Sequence, residues 1–94
     1  MAIENGHLEI VERLLQDPGV DPSAKNNYAI YTASRNGHLE VVERLLQDPR
    51  VDPSANNNKA FNLASRNNHA EVVDRLVKDP RVYSKFSWLE RWLF

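Results

Sequence analysis

Three histidines, His7, His38 and His69, recur at an interval of 31 residues. Imidazole is both a common metal ligand and a general base near neutral pH, so a shared zinc site or a proton-transfer centre is the first chemistry to weigh. A zinc ion needs its nitrogens about 2 Å away, whereas packed neighbouring helices lie about 8–10 Å apart. Equivalent side chains of successive helices therefore cannot converge on one ion. No metal site is expected, and each histidine is assigned to hydrogen bonding with turn backbone. Serine, histidine and aspartate also recur with the same period instead of forming one asymmetric cluster, which leaves nucleophilic catalysis without a pocket. The chain has no cysteine, which excludes a thiol nucleophile, a thiolate metal site and a disulfide framework. Its three glycines form no phosphate-binding loop. Neither an enzyme nor a cofactor is expected.

The elements that hold these residues follow from the repeat itself. Residues 5–24 read NGHLEIVERLLQDPGVDPSA and residues 36–55 read NGHLEVVERLLQDPRVDPSA, differing only at Ile10/Val41 and Gly19/Arg50. A third copy, residues 67–82, reads NNHAEVVDRLVKDPRV. Within a unit, Leu39, Val42, Leu45 and Leu46 fall on one stripe of a helix, with Glu40, Glu43, Arg44 and Gln47 opposite. Glu40 and Arg44 form an i,i+4 pair, repeated as Glu9/Arg13 and Glu71/Arg75, each expected to contribute about 0.2–0.5 kcal/mol. Asp48-Pro49 ends this helix, because proline disfavours the helical region for the residue before it. A shorter helix is predicted around Ala29 to Asn36, with Ala29, Ile30 and Ala33 buried and Gly37 supplying the left-handed residue of a tight reversal. Asn68 stands where that glycine would be, and asparagine tolerates the same backbone conformation. Each unit is thus a helix, a turn, a longer helix and a proline-rich return. One hairpin cannot bury its apolar stripe alone, but stacked copies can. An all-α solenoid of helical hairpins is expected, with repeats over 1–82 (a partial unit 1–24, then 25–55 and 56–82) and a distinct segment over 83–94.

The stretch NGHLEVVERLL resembles the second helix of the ankyrin repeat, which typically reads Gly-His-Leu-Glu-Val-Val-x-x-Leu-Leu. The resemblance covers about Met1 to Val82. It departs at Tyr28-Ala29-Ile30-Tyr31 and Lys59-Ala60-Phe61-Asn62, where the family carries Thr-Pro-Leu-His, and the period of 31 is two short of the common 33. The family implies a protein-binding module that uses its inter-repeat fingers and the exposed side of the short helices. Carried over by position, these residues are Lys25, Asn26, Asn27 and Tyr28, then Thr32, Arg35 and Asn36. In the next unit they are Asn56, Asn57, Asn58 and Lys59, then Leu63, Arg66 and Asn67. Lys25, Arg35, Lys59 and Arg66 fall here while most glutamates lie on the longer helices, so a mildly basic, amide-rich concave face is expected. The asparagine run at 56–58 reads equally as a recognition tip or as a solvated turn.

Residues 83–94, YSKFSWLERWLF, share nothing with the repeat and hold both tryptophans. As a helix they place Phe86, Leu89 and Leu93 on one stripe, with Trp88 and Trp92 beside it. Three readings compete: a lid over the last unit, an anchor in a partner or second copy through Trp88, Leu89 and Trp92, and an interfacial membrane helix. Residues 78–94 carry a net charge of only +2, which gives weak membrane attraction.

Size and charge bound the remaining classes. Ninety-four residues allow one small domain, with 41% hydrophobic and 27% charged residues as in ordinary globular chains. A net charge of −1 recruits neither nucleic acid nor a membrane surface. The opening residues show no basic segment followed by an apolar core, so no secretory leader is expected. No apolar run is long enough to span a bilayer. The absence of cysteine fits a cytoplasmic setting. A protein or peptide partner is expected, with homo-oligomerisation through the repeat ends and the aromatic tail as the alternative; nucleic acid and membrane partners are not.

Overall fold

The computed structural model describes Ile3 and residues 5–86. Among the described residues six helices follow one another: α1 (Leu8–Gln16), α2 (Ala24–Arg35), α3 (Leu39–Leu46), α4 (Ala55–Arg66), α5 (Ala70–Val77) and α6 (Pro80–Tyr83). A single 3₁₀ turn, Ser84–Phe86, closes the described chain. No strand occurs among the described residues. The helices form two layers. Helices α2 and α4 pack side by side in one, and α1, α3 and α5 stack in order in the other. Pairs α2·α3 and α4·α5 are the hairpins that join the layers.

The core lies between the layers, built from Val11, Ile30, Ala33, Val41, Val42, Leu45, Ala60, Ala64, Val72 and Leu76. Ala33, Ala60 and Ala64 are fully buried, and their small side chains let α2 and α4 approach closely. The buried arc of α3 is wider than the expected stripe. Val41 is buried as well as Val42, Leu45 and Leu46, because α3 is flanked by α1, α2 and α5. The expected i,i+4 ion pairs on these helices do not close; within 4 Å the described residues pair Arg50 with Asp48, Lys78 with Asp74 and Arg81 with Asp79. Exposed glutamate and arginine lose little by remaining hydrated.

The turn between the helices of each hairpin has a left-handed residue, as the sequence implies. Gly37 has φ +74 and Asn68 has φ +61. Gly37 has a second reason to lack a side chain. A Cβ placed there would meet the imidazole of His69, and one on Gly6 would lie 2.7 Å from Nδ1 of His38. His38 and His69 therefore sit against the turn of the preceding unit, where His69 Nε2 lies 2.9 Å from the carbonyl oxygen of Arg35. No histidine of a later unit exists in the chain to press on Asn68, which meets only the backbone requirement.

The return between units differs from a hairpin finger. Just after their first residues, Ala24 and Ala55, helices α2 and α4 each contain three consecutive left-handed residues, Lys25-Asn26-Asn27 (φ 56, 57 and 67) and Asn56-Asn57-Asn58 (φ 54, 55 and 61). Regular right-handed helix starts only at Tyr28 and Lys59. The left-handed conformation costs most L-residues about 1–2 kcal/mol each, and asparagine is among the few that visit it routinely. Five of these six positions are asparagine. The third member of each triplet is buried and reaches the next return: Asn27 Oδ1 accepts from the Asp52 N–H at 2.8 Å, and Asn58 Nδ2 donates to the Val82 carbonyl at 3.2 Å.

A further clamp recurs at the Asp-Pro-Arg segments. The Arg50 guanidinium donates to the carbonyls of Val20 (3.0 Å) and Leu15 (3.4 Å) in the unit before, while Asp48 holds its other edge. Arg81 repeats the arrangement on Val51 (2.9 Å) and Leu46 (3.3 Å), held by Asp79. These side-chain hydrogen bonds keep the Asp48 and Asp79 carboxyls below the ordinary carboxylate range. Gly19 stands at the equivalent position of the first unit.

Candidate protein-binding face

Charge separates cleanly between the two layers. Helices α2 and α4 contain Lys25, Arg35, Lys59 and Arg66 and no acidic residue. Each helix of the other layer has two acids and one arginine: Glu9, Glu12 and Arg13 on α1; Glu40, Glu43 and Arg44 on α3; Glu71, Asp74 and Arg75 on α5. The short-helix layer is thus a cationic sheet of side chains backed by a mildly acidic one. Helices α2 and α4 pack together, and Tyr28 and Lys59, Lys25 and Asn56, and Arg35 and Arg66 are equivalent positions of these adjacent units.

The expected site residues divide into four groups. Lys25, Tyr28, Arg35, Asn36, Asn57, Lys59, Arg66 and Asn67 are exposed on this layer or its edges. Two of them also serve the fold: Asn67 Nδ2 donates to the Arg35 carbonyl at 3.1 Å, and Lys59 Nζ stands 5.2 Å from the centre of the Tyr31 ring. The cation over that ring links the two units, an attraction of about 0.5–1 kcal/mol at an exposed site. Burial, with Asp52 nearby, raises the Tyr31 phenol above its ordinary value. Leu63 is half-buried. Asn27 and Thr32 are buried, and this removes Asn27 from any surface open to a partner. Asn27 spends its side-chain oxygen on the Asp52 backbone, and Thr32, although 2% exposed, lines a cleft shared with Ile3, Pro22 and Tyr28. Trp88, Leu89 and Trp92 lie outside the described residues.

A match to the family description "Ankyrin repeats (3 copies)" spans residues 1–85. The chain belongs to the ankyrin repeat family. No curated protein matches it, and no solved structure does. Ankyrin repeats are in general protein–protein interaction modules. No helix among the described residues is long and apolar enough to cross a membrane.

The residues that sequence reasoning overlooked are structural ones beside this face. Arg50 and Arg81 recur with the period and each follows Asp-Pro, which was a legible signal. Their reach of 30 and 35 residues back to backbone carbonyls was not. The histidine–glycine contact was likewise implicit in the pairing of Gly6, Gly37 and the three histidines at one spacing.

Proposed function

We propose that the α2/α4 layer binds an acidic or polar segment of a partner protein, as a non-catalytic ankyrin module of the cytoplasm. One observation supports the reading above others: four cations and no acid on two adjacent helices, in a chain whose net charge is −1. Opposite potentials attract and orient a partner before contact and suppress partners of the wrong sign. Arginine adds bidentate recognition of carboxylates. The exposed amides of Asn36, Asn56 and Asn57 add donors and acceptors that suit a peptide backbone.

Two labelled peptides of equal length, one rich in glutamate and one rich in lysine, test the proposal by fluorescence anisotropy. The acidic peptide should bind, more weakly as salt rises, and Arg35→Glu with Arg66→Glu should abolish that binding while helical circular dichroism persists. Equal binding of both peptides, or unaltered binding by the double variant, would show that the layer is not a cationic recognition face.

A further inference from the structure

The two ends of the stack present complementary surfaces. At the first, Ile10 and Leu14 are 49% and 42% exposed. Their equivalents one and two units later, Val41 and Leu45, then Val72 and Leu76, are 1% exposed or less, because α1 covers α3 and α3 covers α5. On α2 of the same end, a cleft of about 470 Å³ opens between Ile3, Pro22, Tyr28 and Ala29. Ala60, the equivalent of Ala29, is fully buried where α2 packs on α4. The outward side of the first unit is therefore a stacking face of the same kind that is filled twice within the chain.

What fills it in those two cases is the opposite side of a preceding unit. In the second unit that side includes Val42 and Leu46, both buried. In the third it includes Val73 and Val77, both half-buried, which with Ser65 and Ala70 line a groove of about 460 Å³ left open among the described residues. The last unit thus has, on α5, the surface that the first unit's α1 lacks.

We propose that a second copy of this chain occupies the first-unit end face, with Ile10 and Leu14 of one copy seated on Val73 and Val77 of the other. The joint continues the α1·α3 and α3·α5 stacking across two molecules. Such a contact is heterologous, joining the first-unit face of one copy to the α5 face of the next, and can repeat from copy to copy. It is weaker than the internal joints for two reasons. Gly19 stands where Arg50 and Arg81 clamp the preceding return, and Asn68 carries a Cβ where Gly6 and Gly37 leave room for the histidine of the following unit. This assembly borders the α2/α4 face at Lys25 and Tyr28, which line the cleft, but its contacts on α1 and α5 do not include Arg35 or Arg66.

Analytical ultracentrifugation of the full chain, up to about 1 mM, should show a weight-average mass that rises with concentration. Leu14→Glu and Val77→Glu damage opposite ends, so each alone should weaken self-association by at least about tenfold. Mixing the two variants leaves one intact joint, between Leu14 of the Val77→Glu chain and Val77 of the Leu14→Glu chain. The mixture should form a dimer and nothing longer. Circular dichroism verifies folding of each variant, and Val73→Glu serves as a second change at the α5 end. Arg35→Glu/Arg66→Glu should leave the association unaltered, which keeps this test separate from peptide binding. A strict monomer at the highest concentration overturns the proposal. Association that survives Val77→Glu and Val73→Glu but not Leu14→Glu overturns it in favour of two first-unit ends meeting face to face. A mixture that stays monomeric also overturns it.

Discussion

Replacing Gly37 with alanine probes both demands made on that turn. The backbone there has φ +74, a conformation costing an L-residue with a Cβ about 1–2 kcal/mol. The new Cβ also lands on the His69 imidazole. The ring must swing away and give up its hydrogen bond to the Arg35 carbonyl, a further loss of about 0.5–1.5 kcal/mol. Gly37→Ala should therefore destabilise the fold by about 2–3 kcal/mol, a large share of the roughly 5–15 kcal/mol typical of a domain. Asn68→Ala is the matched control. Its backbone has φ +61, but no histidine lies over it, so only about 1 kcal/mol should be lost. His69→Ala should cost about 1 kcal/mol and relieve part of the Gly37→Ala penalty, because the same hydrogen bond cannot be lost twice. Urea unfolding followed by far-ultraviolet circular dichroism reads these differences as midpoint shifts of about 1 M. Two results would refute the reasoning: Gly37→Ala no more costly than Asn68→Ala, or fully additive penalties in the Gly37→Ala/His69→Ala double variant.

Three other expectations follow from the inter-unit contacts. The depressed Asp79 carboxyl, held chiefly by the Arg81 side chain, contributes stability that is present above the ordinary aspartate value and lost as pH falls through its lower folded value. Asp79→Asn should lower stability at neutral pH and flatten the loss on acidification below about pH 4, measured by urea titrations across that range. In the left-handed triplet, Asn57→Val should destabilise by about 1–2 kcal/mol whereas Asn57→Gly should be nearly neutral; equal thermal midpoints for the two would contradict the assigned backbone. Ala60→Leu should cost about 1–3 kcal/mol by forcing α2 and α4 apart, and a stability unchanged from the parent would show that the layer contact is not close.

Much of the architecture was legible in the chain because a repeat reports its own geometry. The 31-residue period, the apolar stripe of Leu39, Val42, Leu45 and Leu46, and the Gly37 reversal together dictate stacked hairpins. Local chemistry suffices for each of these: helical periodicity, the φ preference of glycine, and the effect of proline on the residue before it. The separation of Lys25, Arg35, Lys59 and Arg66 from the glutamates could also be read once the two helices of a unit were distinguished.

Other properties depend on which unit lies next to which, and only the folded stack decides them. Ile10 and Val41 are similar side chains at equivalent positions, yet one is exposed and the other buried, because only Val41 has a helix packed before it. Asn27 and Asn58 look like the solvated amides beside them, but the left-handed turn points them inward to bind the next return. Arg50 and Arg81 resemble surface arginines until packing brings carbonyls 30 and 35 residues away within reach. Periodicity specifies one unit and its copies, while burial and hydrogen-bond partners come from neighbours distant in the chain.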